Sequence, residues 1–182
     1  GSVRPVRVEL PVGSSAPGVV ALLVGPDGSE TVIKTAVLTG NRMTLSVTDG
    51  ATLTLRDNHK NFSDTRGHWA GDAIDFVSAR DLFSGRTPTS FAPDVPMTRA
   101  MLMTVLARLD GTEAAGGSAY QAGMAWAVAR GVSDGSNPDA PITREQLVAM
   151  LHRYAGSPAA TNRAICAIST IMSAPTLSQI SR

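Results

Sequence analysis

Two Thr-Arg pairs, Thr98-Arg99 and Thr143-Arg144, stand 45 positions apart in a chain of 182 residues. Each follows an Asp- and Pro-rich stretch, Pro93-Asp94-Val95-Pro96-Met97 in the first case and Pro138-Asp139-Ala140-Pro141-Ile142 in the second. Each also precedes apolar residues at helical spacing: Leu102, Val105, Leu106 and Leu109, then Leu147, Met150, Leu151 and Tyr154. A threonine just before a helix accepts from a first-turn N–H, and Gln146, three residues after Thr143, completes a reciprocal capping box. Met101, in the matching place after Thr98, cannot return that bond. Helix starts present unpaired N–H groups and positive potential, so an arginine there has the wrong sign unless an anion offsets it. The chemistry this predicts is anion binding, because a guanidinium fork meets a carboxylate with two parallel hydrogen bonds. The plainer alternative pairs Arg99 with Asp94 and Arg144 with Asp139, exposed contacts worth roughly 0 to 1 kcal/mol.

Other chemistry is poorly supported. His59, His68 and His152 are scattered, with no paired ligand spacing, and Cys166 is the single cysteine, so neither a zinc centre nor a disulfide framework is expected. Asp134-Gly135-Ser136-Asn137-Pro138-Asp139 holds calcium-type ligands but lacks the glycine and glutamate of a calcium loop, and a tight turn explains it better. There is no nucleophile elbow and no phosphate-cradling glycine loop, so no reaction and no cofactor are expected. Sixteen Lys and Arg against fifteen Asp and Glu leave a net charge of +1, which does not suit a grip on duplex nucleic acid. No apolar run approaches the roughly 18 residues of a membrane span. Gly1-Ser2 reads as a tag remnant, so the natural N-terminus is expected upstream.

The elements that must carry these residues fall into two styles. Up to about Asp57, the β-branched runs Val6–Val12, Val19–Val24, Thr31–Val37, Met43–Val47 and Thr52–Leu55 are separated by turn signals such as Gly25-Pro26-Asp27-Gly28 and Asp49-Gly50. Alternation within them gives each strand one apolar face and one wet face. From Asn58 onward Ala, Leu and Met replace Val and Thr, and the spacing turns helical. The predicted fold is α+β: a small antiparallel β domain, sandwich-like or a partial barrel, over 1–57, followed by a helical bundle with two repeats over 58–111 and 112–158.

The repeat is visible upstream of the Thr-Arg pairs as well. At an offset of 50, Ala73, Ile74, Phe76 and Gly85 align with Gly123, Met124, Trp126 and Gly135. Phe76 and Trp126 fall on apolar helix faces and are expected in the core.

The residues Phe62-Ser63-Asp64, His68-Trp69-Ala70, Ile74, Gly85, Phe91-Ala92-Pro93 and Met97-Thr98-Arg99-Ala100 resemble the S-layer homology repeat of bacterial surface proteins. The second copy resembles it through Trp126-Ala127, Gly131, Gly135, Pro138 and Ile142-Thr143-Arg144-Glu145, without a clear Phe-x-Asp start. In both copies the fourth place of the family's Thr-Arg-Ala-Glu segment departs from pattern, being Met101 and Gln146. The resemblance implies a non-catalytic, extracellular anchoring module, cell-surface or cell-wall associated, at the C-terminal part of a larger surface protein. Its implied partner is secondary cell-wall polysaccharide carrying ketal-pyruvate groups. On this reading Arg99 and Arg144 clamp the acid, Thr98, Thr143 and Glu145 frame the helix starts, and Trp69 and Asp64 meet the sugar. The alternative is a structural or self-association module without glycan binding.

Residues 159–182 match neither repeat. Asn162 to Arg182 has two arginines, four isoleucines and no acidic residue. The resemblance places a third repeat here, and a shifted codon frame permits its Phe-x-Asp-x-x-x-x-Tyr-Ala spacing across Ile168 to Thr176. A native segment packing on the bundle is the alternative. With the third repeat lost, homo-oligomerisation is expected, because stacked repeats seek a covering neighbour.

Overall fold

The computed structural model describes residues 4–112 and 118–156, and the 159–182 segment lies outside the described residues. Six strands come first: β1 (Val6–Pro11), β2 (Val19–Val24), β3 (Glu30–Val32), β4 (Val37–Thr39), β5 (Arg42–Val47) and β6 (Thr52–Asp57). Four helices follow: α1 (Gly71–Ala79), α2 (Arg99–Leu109), α3 (Ala119–Ala129) and α4 (Arg144–Ala155). The chain divides into two compact units, Gly1–Phe91 and Ala92–Arg182, each described here by itself.

The strands build two open antiparallel sheets, ordered β1-β5-β4 and β3-β2-β6. The two register sets put Val8 opposite Leu45, Leu10 opposite Met43, and Ala21 opposite Leu55. Val12, Val19, Ala21, Leu38, Met43 and Leu45 pack into one buried cluster, so the inner faces of the two sheets cover each other as alternation predicts. The run Thr31–Val37 does not form one strand. Ala36 N–H donates to Ile33 O at 3.0 Å, closing a turn that sends β3 to one sheet and β4 to the other.

β2 is buried from Val19 to Leu22 because it is covered on both faces. Ala21 faces the partner sheet, while Val20 and Leu22, with Val32 beside them, pack against Ala79 of α1. α1 therefore forms a third layer on the β domain. Just past its end the fully buried Arg80 donates to Ala36 O, Pro17 O and Phe76 O at 3.0 to 3.2 Å. A buried cation of this kind persists only when its donors are satisfied.

In the second unit α2 and α3 meet at a glycine. A Cβ on Gly123 would stand 2.6 Å from Thr104 Cα, so only glycine permits this approach. Trp126, Leu147, Met150, Leu151 and Tyr154 complete the buried face with α2's Leu102, Val105, Leu106 and Leu109. The offsets read from sequence recur in backbone conformation: Asp81 and Gly131, Gly85 and Gly135, and Ala92 and Asn137 all hold positive φ. Non-glycine residues rarely adopt that region, so matched instances mark the same turns. Among the described residues, no helix is long and apolar enough to cross a membrane.

Candidate functional site

The Thr-Arg motifs lie side by side in the second unit. Ile142 N–H donates to Met97 O at 2.9 Å, and Thr98 pairs with Pro141 in an isolated antiparallel bridge. Arg99 N–H donates to Ala140 O and Ala100 N–H to Pro138 O. These are first-turn groups of α2 that a helix start normally leaves without intrahelical partners. The second Pro-rich loop thus caps α2 with backbone carbonyls, in addition to Thr98 Oγ1, which accepts from Met101 N–H at 3.3 Å.

The α4 start is built differently. Thr143 Oγ1 accepts from Gln146 N–H, and Gln146 Oε1 accepts from Thr143 N–H, so the capping box expected from sequence forms. Glu145, in the same turn, has the sign that suits the positive helix end.

The two arginines occupy equivalent places with unlike surroundings. Arg99 Nη2 donates to Asp134 Oδ1 at 2.9 Å and to Ser133 Oγ at 3.1 Å, and its Nε donates to Ser136 O at 2.8 Å. Its side chain is only 11% exposed. The ion-pair partner is Asp134, in the turn before the second Pro loop. Asp134 Oδ1 also accepts from Ser136 N–H and Oγ. Those two bonds, more than the Arg99 charge, hold its carboxyl below the ordinary range.

Arg144 is exposed, and its side chain makes no hydrogen bond or ion pair among the described residues. It opens onto a concavity of about 660 Å3 that is lined, among the described residues, by Arg144, Glu145, Val148, Ala149, His152 and Arg153. Val148 is 64% exposed there, and Arg153 is tied back by donation to Val132 O. The surface thus combines one open cation at a capped helix start with apolar side chains beside it. That combination suits an acid borne on a partly apolar body.

Trp69 and Asp64 belong to the first unit. Trp69 is 57% exposed, just before α1, with its ring centre 5.6 Å from that of His68. Trp69 thus lies on the surface, whereas Phe76 and Trp126 are buried as expected. Asp64 is engaged within the fold: Oδ2 accepts from Ser90 Oγ at 2.8 Å and Oδ1 from Phe91 N–H at 2.9 Å. Phe62 packs beside this staple, with its ring 5.4 Å from Phe91.

Sequence reasoning missed Arg80 and Asp134. For Arg80 a signal existed: it is the counterpart of Arg130 at the 50-residue offset, each directly after the first helix of its repeat. Among the described residues, no three His, Cys, Asp or Glu side chains gather as metal ligands.

No curated protein matches this chain, and no solved structure does. Residues 61–100, from the loop before Phe62 through α1 to the first turn of α2, match the family model of the S-layer homology domain. That segment contains Asp64, Trp69, Thr98 and Arg99, and the chain carries an S-layer homology domain there.

Proposed function

We propose that this chain is a non-catalytic anchoring module that binds anionic, pyruvylated secondary cell-wall polysaccharide, with Arg144 as the open acid clamp. S-layer homology domains anchor surface proteins to cell-wall polymers and mark a cell-surface or wall-associated protein. The observation that carries the finer reading is Arg144 itself, exposed at a capped helix start beside the open concavity. Thr143 and Glu145 frame that start, and Val148 offers apolar contact to the body of the sugar. Trp69, in the first unit, is an exposed aromatic face of its own on which a sugar can stack. Thr98 and Arg99 fix the helix start and Pro-rich loop of the second unit, and Asp64 fixes its own loop in the first.

Cosedimentation with purified cell walls, before and after chemical removal of pyruvate, tests the reading. Loss of binding on depyruvylation is expected. Binding that persists unchanged contradicts it.

A second reading, an interaction module without glycan, is favoured by the Arg99 clamp, in which the same motif grips a turn of the protein's own chain. Homo-oligomerisation belongs to this reading. Light scattering that shows a monodisperse monomer at high concentration removes it.

A further inference from the structure

The 45-residue repeat gives the chain two equivalent guanidinium positions, and only one is open. At Arg99 the place of an external acid is filled from within: Asp134 Oδ1 lies 2.9 Å from Nη2, which also donates to Ser133 Oγ, while Nε donates to Ser136 O. The exposures run in opposite directions. The Arg99 side chain is 11% exposed and that of Asp134 is 72% exposed, so the carboxylate sits on the solvent side of the guanidinium it covers. At Arg144 no described residue plays the part of Asp134.

We propose that Asp134 is a built-in competitor for the acidic ligand, a carboxylate plug that closes the Arg99 position and limits the chain to one acid-binding guanidinium. This rests on the wall-polymer reading of Arg144. An incoming carboxylate reaches Nη2 only by displacing Asp134, and at a distance it is repelled by the Asp134 charge. The plug is retained by its own turn, because Oδ1 is shared among Arg99, Ser136 N–H and Ser136 Oγ. An external ligand therefore competes with an intramolecular group whose effective concentration is high. Asp134→Asn removes the charge while leaving an oxygen that can still accept from Ser136. Asp134→Ala removes the group altogether.

Titration calorimetry of the full chain with a pyruvylated disaccharide tests the plug. The wild type is expected to bind one equivalent and Arg144→Ala none. Asp134→Asn and Asp134→Ala are expected to bind two, and Asp134→Asn with Arg144→Ala to regain one. A folded Asp134 variant that still binds one equivalent overturns the plug and leaves the Arg144 reading standing. If neither wild type nor variants bind the disaccharide, the wall-polymer reading falls and the plug with it. Should both Asp134 variants fail to fold, Ser136→Ala loosens the same carboxylate: a second, weaker equivalent supports the plug, and a single equivalent overturns it.

Discussion

The guanidinium of Arg80 lies 3.6 Å from the centre of the Phe76 ring, with four backbone carbonyls accepting from its edge. Three of those carbonyls, Ala36, Pro17 and Val19, belong to the β domain, and the fourth, Phe76, belongs to α1. α1 is thereby bolted to the strands that precede it. Arg80→Met would leave these carbonyls buried and unpaired, at about 1 to 3 kcal/mol for each unsatisfied group that water does not reach. The expected loss of stability is at least about 3 kcal/mol, read from the denaturant midpoint. Arg130→Met, at the repeat-equivalent and half-exposed position paired with Asp110, should change stability by less than about 1 kcal/mol.

Arg80 also shows where sequence reading stops. A charged residue directly after a helix is ordinarily a solvated end, and nothing local signals that the distant segments around Pro17, Val19 and Ala36 supply carbonyls to it. The same holds for Arg99, whose nearby acid in sequence is Asp94 but whose ion pair is with Asp134, brought close by the pairing of the two Pro-rich loops. Features set within a few residues were legible: the Thr143–Gln146 capping box, the helical stripes, and the repeat offsets that reappear as matched positive-φ turns. The split of Thr31–Val37 between two sheets was not. Its residues suit a strand throughout, and the turn at Ile33–Ala36 arises from how the sheets pack.

Gly123 is the contact point of α2 and α3. A methyl there would press on Thr104 Cα at 2.6 Å and on its N at 2.8 Å, and backbone atoms cannot rotate away. Gly123→Ala should destabilise the second unit by about 1 to 3 kcal/mol, although alanine is the better helix former. A thermal melt that rises instead would mean the helices separate freely.

Tyr154 packs its ring edge-on against Trp126, and among the described residues its buried hydroxyl has no hydrogen-bond partner. Burial, with the Asp110 charge as a lesser cause, pushes its ionisation up to about 12. The sign follows from linkage: between about 10 and about 12 the unfolded phenol loses its proton while the folded one keeps it, so this group's contribution to stability declines as pH rises through that window. Tyr154→Phe should remove the decline and raise stability at neutral pH by about 1 kcal/mol. A loss of stability would instead show that the hydroxyl has a partner.

Asp134 titrates low chiefly because Ser136 donates twice to it, with Arg99 a smaller influence. Its contribution to stability is present above the ordinary carboxylate range and is lost as pH falls through the depressed value. Carboxyl chemical shifts followed against pH should show the midpoint rising more in Ser136→Ala than in Arg99→Ala. The reverse order would make the ion pair the stronger tie.

Cosedimentation of Arg144→Ala and Arg99→Ala with native, pyruvylated cell walls tests the central claim most directly. Loss of charge-assisted hydrogen bonds of about 1.5 to 3 kcal/mol corresponds to roughly 10- to 100-fold in affinity. The account predicts that weakening for Arg144→Ala, while Arg99→Ala, whose guanidinium is already held by Asp134, keeps its wall affinity as long as it remains folded. Arg144→Ala that binds walls as tightly as the wild type would contradict it.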